Sequence, residues 1–225
     1  RRPPRSTLFP YTTLFRSLGV LRSHLAGHRQ MAFVSGPRQV GKTTACRACA
    51  EVYLNWDDQD HRALVLRGPA AVMEHVDGHR PSARPPVVVF DELHRYPRWK
   101  TFLKGFFDTY EARCRIIVTG SSRLDVYRRG GDSLMGRYFL YRLHPFSVGE
   151  LADPTVADEP LRDPRPLDDE RWTALGRFGG FPEPFIQRSA AFSRRWTALR
   201  RQQLVREDLR DLTRLHDLGR LETLG

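Results

Sequence analysis

The sequence predicts a three-layer α/β domain with a mainly parallel five-stranded sheet, followed by an α-rich extension. One observation is a set of short, mostly apolar runs with the length of strands, at residues 31–35, 53–58, 87–90, 116–118 and 137–147. The other is that helical stretches separate these runs. Buried parallel strands read as continuous apolar runs, and a helix usually connects one parallel strand to the next. The alternation therefore indicates helices on both faces of a sheet.

The clearest helical stretch covers residues 98–110. Its large apolar side chains recur at helical spacing: Trp99, Phe102, Leu103, Phe106, Phe107 and Tyr110. Such a stripe is typical of a helix that packs on a core, so we do not interpret these aromatic residues as a base-stacking platform.

Residues 1–17 stand apart from this pattern. Arg1 and Arg2 could open an export signal, but Pro10 and Arg16 interrupt the apolar stretch that a signal needs. A common short-read sequencing adapter encodes TLFPYTTLFRS, which is residues 7–17 without a mismatch. We therefore expect residues 1–17 to be an artefactual leader, extended or disordered, and exclude them from the fold.

Composition limits the classes of function. The net charge is +11, and +7 remains without the four arginines of the leader. Only three of the 37 basic residues are lysines, which suggests GC-rich codon usage, although a basic surface could also bind nucleic acid. No apolar stretch reaches the ~20 residues of a membrane helix. Three cysteines are too few for a disulfide framework, and we expect a cytoplasmic protein.

The first strand leads directly into a phosphate-binding pattern. In GPRQVGKTT, Gly36, Gly41, Lys42 and Thr43 fit G-x-x-x-x-G-K-[ST], the P-loop or Walker A motif. The glycines let backbone N–H groups point at phosphate oxygens. Lys42 would reach the β- and γ-phosphates, and the Thr43 hydroxyl would bind Mg²⁺. A helix is predicted over residues 42–53, and its N-terminus favours the same anion.

The third strand ends in two acidic residues. Asp91 and Glu92 follow the apolar run 87–90, as in a Walker B motif. Ligands bind beyond the carboxyl ends of parallel strands, so Asp91 should lie beside the P-loop and help to hold Mg²⁺. Glu92 would then orient or activate the attacking water. The alternative is a helix cap and a solvated first turn, but the P-loop 55 residues upstream favours catalysis.

The fourth strand ends in polar residues. Run 116–118 is followed by Thr119, Gly120, Ser121 and Ser122. A hydroxyl at this point could contact the γ-phosphate or the water, and Ser121 is our candidate. The alternative is that Ser121 or Ser122 caps a helix that begins near Leu124.

Several phrases together resemble a large bacterial and archaeal family of AAA-type ATPases, in which an uncharacterised C-terminal domain follows the ATPase domain. They are GPRQVGKTT, YLNWDD, VVVFDELHRYPRW, IIVTGSSRLDV, SLMGRYFLYRLHPFSVGEL and GGFPEPF. The resemblance implies Mg²⁺ binding through Thr43 and Asp91, and water activation by Glu92. It implies ATP phosphate binding by Gly36, Pro37, Arg38, Gln39, Val40, Gly41, Lys42, Thr43 and Thr44.

The resemblance also suggests an interpretation of two further positions. Arg137 stands where the family usually keeps an arginine, and its planar, permanently charged group suits γ-phosphate recognition. An ordinary salt bridge at the strand edge is the alternative. His94 stands where many relatives have glutamine, which affects the expected coupling more than hydrolysis.

We divide the chain into a leader (1–17), a P-loop ATPase domain (18–151), a linker or surface loop (152–171) and an α-rich extension (172–225). The linker is rich in Pro and Asp, and the extension contains a long helical stretch at about 190–216. Compared with the family, we expect the chain to be truncated before the C-terminal domain. Self-association or a protein partner would then use that missing domain.

The leading hypothesis is Mg²⁺-dependent ATP hydrolysis, with the downstream process unknown. The alternative is a nucleotide-gated binding switch with negligible turnover. A small-molecule kinase on the same fold comes third, because Asp91 and Glu92 followed by a polar strand end favour water over a bound acceptor.

Overall fold

A parallel sheet forms the centre of the computed structural model, which describes residues 16–79, 84–120, 134–153, 155, 163 and 165–204. Within these ranges the strands are β1 (Met31–Ser35), β2 (Val52–Asn55), β3 (Val87–Asp91), β4 (Arg115–Thr119) and β5 (Tyr138–Arg142). Their order is β2-β3-β4-β1-β5, and every pairing is parallel. The predicted five-stranded sheet is confirmed.

Helices cover both faces of the sheet, which confirms the three predicted layers. On one face lie α1 (Arg16–Gly27) and α2 (Lys42–Arg47). On the other face lie α3 (Gln59–Leu66), α4 (Pro69–Gly78) and α5 (Trp99–Tyr110). The apolar side chains divide accordingly into a cluster with α1 and α2 and a larger cluster with α3 to α5. None of the described helices is long and apolar enough to cross a membrane.

The aromatic stripe of α5 packs into the larger cluster, as its spacing predicts. Trp99, Phe102, Phe106 and Phe107 are buried. The ring of Phe90 on β3 meets the rings of Phe102 and Phe106 edge to face, at centroid distances of 5.6 and 5.3 Å. This arrangement suits aromatic quadrupoles, and it fixes β3 against α5.

Several element boundaries differ from those predicted, and β2 and β5 are shorter than the runs 53–58 and 137–147. Helix α1 begins at Arg16, inside the expected leader. Helix α2 ends at Arg47 rather than near residue 53, because the chain must become extended for Val52 to pair with Val88 on β3. The predicted linker already contains the start of α7 (Asp169–Phe178), because the side chain of Asp168 caps this helix by accepting from the N–H of Arg171 at 2.8 Å.

The extension packs against the sheet domain. It contains most of α7, together with α8 (Pro182–Gln187) and α9 (Ala190–Gln203), while α6 (Val148–Ala152) ends the sheet domain. A third apolar cluster joins α1 to the extension through Leu18, Phe146, Leu151, Ala174 and Phe185. The N–H of Phe146 also donates to the carbonyl of Gly180 at 2.7 Å. The predicted helical stretch 190–216 is observed as α9, and residues 205–225 lie outside the described part.

We expect Gly180→Ala to destabilise this junction. A Cβ at Gly180 would lie 2.4 Å from the carbonyl oxygen of Phe146, and backbone cannot yield as a flexible side chain can. Overpacking of this kind costs about 1–3 kcal/mol, which urea unfolding would show as a lower free energy of unfolding. Gly176→Ala, at an exposed position on α7, is the matched control, because a Cβ there would meet nothing within 4 Å. It should be neutral or stabilise by up to ~1 kcal/mol, and equal losses in both variants would contradict the close approach.

Candidate functional site

The P-loop is shaped by glycines at both of its ends. Gly36 has φ +147°, and a Cβ there would lie 2.3 Å from the carbonyl oxygen of Leu143, just beyond β5. Gly41 has φ 96° and immediately precedes α2. Gln39, between them, also has a positive φ of 64°. The loop therefore passes very close to the chain after β5, and only glycine fits at its first position.

Lys42 is folded into this loop. Its side chain is buried, with 8% of the residue exposed. The Nζ atom donates to the carbonyls of Gly36 and Pro37 at 2.9 Å each. A bound phosphate would be a stronger partner for an ammonium group than these neutral carbonyls. The charge is thus held inside the loop where a phosphate would lie.

Asp91 accepts hydrogen bonds from three hydroxyl groups. It is 4% exposed at the carboxyl end of β3. Thr43 donates to Oδ2 at 3.1 Å, Tyr53 donates to the same oxygen, and Thr119 donates to Oδ1. The structure therefore brings Thr43 and Asp91 together, as their sequence positions predict. A hydroxyl and a carboxylate supply the hard oxygen ligands that Mg²⁺ prefers, so the two residues fit that ion.

Glu92 adopts a backbone conformation that is rare for its residue type. Its φ of 56° and ψ of 21° are left-handed, and such conformations concentrate at functional sites. Burial, with Asp91 as a smaller cause, raises the pKa of the Glu92 carboxyl above its usual range. Its Oε2 lies 3.8 Å from Nε2 of His94, whose side chain is only 4% exposed. His94 therefore contacts the candidate general base, which its sequence position did not reveal.

A cavity of about 420 Å³ lies in front of the P-loop. Residues of the loop and α2 form one wall, together with Glu92. The rest of its lining comes from α8 in the extension, through Pro182, Glu183, Ile186 and Gln187. Sequence reasoning missed these α8 residues, because only the docking of the extension places them there. The phrase GGFPEPF was the available signal: Gly180 allows the close approach, and Pro182 begins the helix.

The P-loop residue Val40 lines a second cavity, of about 400 Å³. Its walls come from α1 and from the chain after β5, including Leu21, Leu143 and Phe146. Arg16 and Ser17 of the expected leader also line it. Both cavities therefore touch the P-loop, the first through Gln39 and Gly41 and the second through Val40.

The structure does not bring Arg137 to the P-loop of the same chain. Arg137 precedes β5, at the end of the parallel sheet opposite to the P-loop, and its carbonyl accepts from the N–H of Met31 at the start of β1. Its guanidinium pairs with Asp108 on α5, with Nε–Oδ1 at 2.6 Å and Nη2–Oδ2 at 3.0 Å. The salt-bridge alternative is the observed one, because the parallel register separates the two ends of the strand. Ser121 lies outside the described residues.

Comparison with known families identifies the domain. A family model described as an AAA domain matches residues 28–152. The chain belongs to this family. The match contains the whole sheet, the P-loop and Asp91, so the chain is an AAA-type, nucleotide-binding protein. No match was found among the curated proteins.

Several solved structures resemble this AAA domain protein at low identity. AMPPCP-bound DnaA from Aquifex aeolicus is 15% identical, with 92% of this chain and 70% of that chain covered and a TM-score of 0.46. A signal-transduction ATPase with a tetratricopeptide repeat sensor from Pyrococcus horikoshii is 15% identical, with 82% and 28% covered and a TM-score of 0.42. Cdc6p from Pyrobaculum aerophilum is 16% identical, with 67% and 49% covered and a TM-score of 0.32. The chain thus spans 28% of the length of the Pyrococcus protein, and similarity at this level carries no functional inference.

We expect Lys42→Ala to weaken nucleotide binding without unfolding the chain. The substitution removes the ammonium group that the loop holds, and hydrogen bonds to charged groups contribute about 1.5–3 kcal/mol. ATP affinity should therefore fall ~10-fold or more in titration calorimetry. Lys104→Ala on α5 is the matched control and should bind as the parent does. Unchanged affinity in Lys42→Ala would refute the site.

We expect Arg137→Ala to leave ATP affinity unchanged. Its partner is Asp108, and both lie away from the P-loop cavity. Arg137→Ala and Asp108→Ala should lower the melting temperature by similar small amounts, because each removes the same surface ion pair. Calorimetric titration with ATP checks the first expectation. A loss of affinity in Arg137→Ala alone would restore the predicted phosphate role.

Proposed function

We propose that this AAA domain protein binds ATP together with Mg²⁺ and hydrolyses it to ADP and phosphate. The observation that carries the proposal is the hydrogen bond between Thr43 and Asp91 at 3.1 Å. It joins the start of α2 to the end of β3 beside the cavity that contains Lys42 and Glu92. Lys42, Thr43 and Glu92 thus line one cavity, and Asp91 is joined to it through its hydrogen bond with Thr43.

Each residue would have a separate task. The backbone N–H groups of residues 36–44 and the N-terminus of α2 would bind phosphate oxygens. Lys42 would move from the loop carbonyls to the β- and γ-phosphates, and Thr43 and Asp91 would hold the metal ion. Bound Mg²⁺ would neutralise charge on the phosphates. Glu92 would orient a water molecule and accept its proton.

The raised pKa of Glu92 supports this role. A carboxylate that is partly withdrawn from water is a better proton acceptor than an exposed one, since its protonated form is favoured by burial. His94 at 3.8 Å would limit the orientations of the carboxylate. Glu92 also lines the cavity, and its backbone is left-handed, a conformation that concentrates at functional sites.

The second cavity would hold the nucleoside. Val40 of the loop lines it, and its lining combines apolar side chains such as Leu21 and Leu143 with polar ones such as Arg142 and Glu150. A purine base binds well in a cleft of this kind, where apolar walls are combined with a few polar groups. The phosphates would then lie in the first cavity and the base in the second.

A nucleotide-gated switch is the second candidate function, and the position of α8 favours it. Glu183 and Gln187 on α8 line the same cavity of about 420 Å³ as the P-loop. Bound nucleotide would contact both walls and hold the extension in one position. A partner that recognises the extension in that position would then respond to ATP binding without any turnover.

Glu92→Gln separates hydrolysis from switching. The amide keeps the size and hydrogen bonding of the side chain but cannot accept the proton from water. General-base contributions are typically ~10²–10⁴-fold, so phosphate release should fall at least ~100-fold while MgATP affinity stays near that of the parent. Phosphate release should be followed over a range of protein concentrations, so that turnover requiring self-association is detected.

Glu74→Gln, at an exposed position on α4, is the matched control and should hydrolyse ATP at the parental rate. Equal phosphate release in Glu92→Gln and the parent would exclude Glu92 as the base. Tight MgATP binding by the parent with no turnover at any concentration would favour the switch.

A further inference from the structure

Tyr53 lies on the same face of the sheet as Asp91. Asn55 on β2 is paired with Asp91 on β3. Tyr53 is two residues before Asn55, and side chains two apart in a strand point to the same face. On the other side of Asp91 lies β4, where Val118 is paired with Phe90 and Thr119 follows. The strands on either side of β3 therefore each direct one hydroxyl-bearing side chain towards Asp91.

The two hydroxyls hold different oxygens of the carboxylate. Tyr53 donates to Oδ2, and Thr119 donates to Oδ1. Thr43, the metal-site residue of the P-loop, also donates to Oδ2. Each carboxylate oxygen thus accepts a hydrogen bond from a strand residue outside the P-loop. If the carboxylate rotated about its Cβ–Cγ bond, the hydrogen bonds from Tyr53 and from Thr119 would both break.

The phenol ring of Tyr53 is itself fixed. The guanidinium carbon of Arg47 on α2 lies 4.2 Å from the ring centroid, a favourable distance for a cation–π contact. The ring also packs on the apolar cluster between the sheet and α2. Phenylalanine could make both of these contacts. The hydroxyl is therefore the part of Tyr53 that packing does not require, and it meets the carboxylate.

We propose that Tyr53 is a positioning residue that holds Asp91 in the orientation needed to bind Mg²⁺ beside Thr43. The inference rests on the proposed MgATP site and adds to it a residue outside the P-loop and the acidic pair. Partners that orient a metal ligand typically change metal affinity by ~10–100-fold when they are removed. Tyr53 would act only through Asp91, so nucleotide binding without metal should not depend on its hydroxyl.

The test is Tyr53→Phe, measured as ATP affinity in Mg²⁺ and in EDTA, and as Mn²⁺ affinity at saturating ADP by electron paramagnetic resonance. We expect EDTA affinity within ~2-fold of the parent and Mn²⁺ affinity reduced at least ~10-fold. Tyr110→Phe at the end of α5 is the matched control and should match the parent in all three measurements.

The outcomes are distinct. Mn²⁺ affinity that is equal in Tyr53→Phe and the parent overturns the positioning role and leaves the proposed function intact. Equal losses with and without metal, or an unfolded variant, also overturn it, since they indicate a structural role for the hydroxyl. A parent whose nucleotide affinity does not respond to Mg²⁺ overturns the proposed site and this inference together.

Discussion

The carboxylate of Asp91 is the group on which the geometry of the site depends. A buried charged group is costly unless it is hydrogen-bonded, and Asp91 meets this requirement with hydroxyls from α2, β2 and β4. Each donor belongs to a different element, so the carboxylate ties the start of the P-loop helix to two neighbouring strands. The same hydrogen bonds that compensate for burial also fix the orientation of the two carboxylate oxygens of Asp91.

The extension is part of the site because of how it docks. The apolar cluster around Phe146 and Phe185 joins α1 to α7 and α8, and the close approach at Gly180 sets the position of α8. As a result, α8 and the P-loop line the same cavity. Catalysis and switching would therefore use the same cavity and differ in whether Glu92 promotes attack by water. Both functions remain consistent with an AAA domain.

Local signals predicted much of this arrangement. Runs such as 31–35 are buried throughout because central parallel strands have helices on both faces. The P-loop motif and the acidic pair predicted that Thr43 and Asp91 meet. Predictions were wrong where a local signal competed with pairing: α2 was expected to extend to residue 53, but β2 takes Val52 into the sheet. Within this chain Arg137 is paired with Asp108 before β5, so its role toward phosphate stays a prediction.

By itself, the sequence determined the class of fold, the phosphate-binding loop and the acidic strand end, because each depends on residue types at a fixed local spacing. Only the tertiary structure decided which distant side chains join them. Strand order brings Tyr53 and Thr119 to either side of Asp91, the turn after β3 brings His94 to Glu92, and docking of the extension brings α8 to the cavity. Such contacts join residues far apart in the chain or depend on a left-handed turn, and neither hydrophobic periodicity nor motif spacing encodes them.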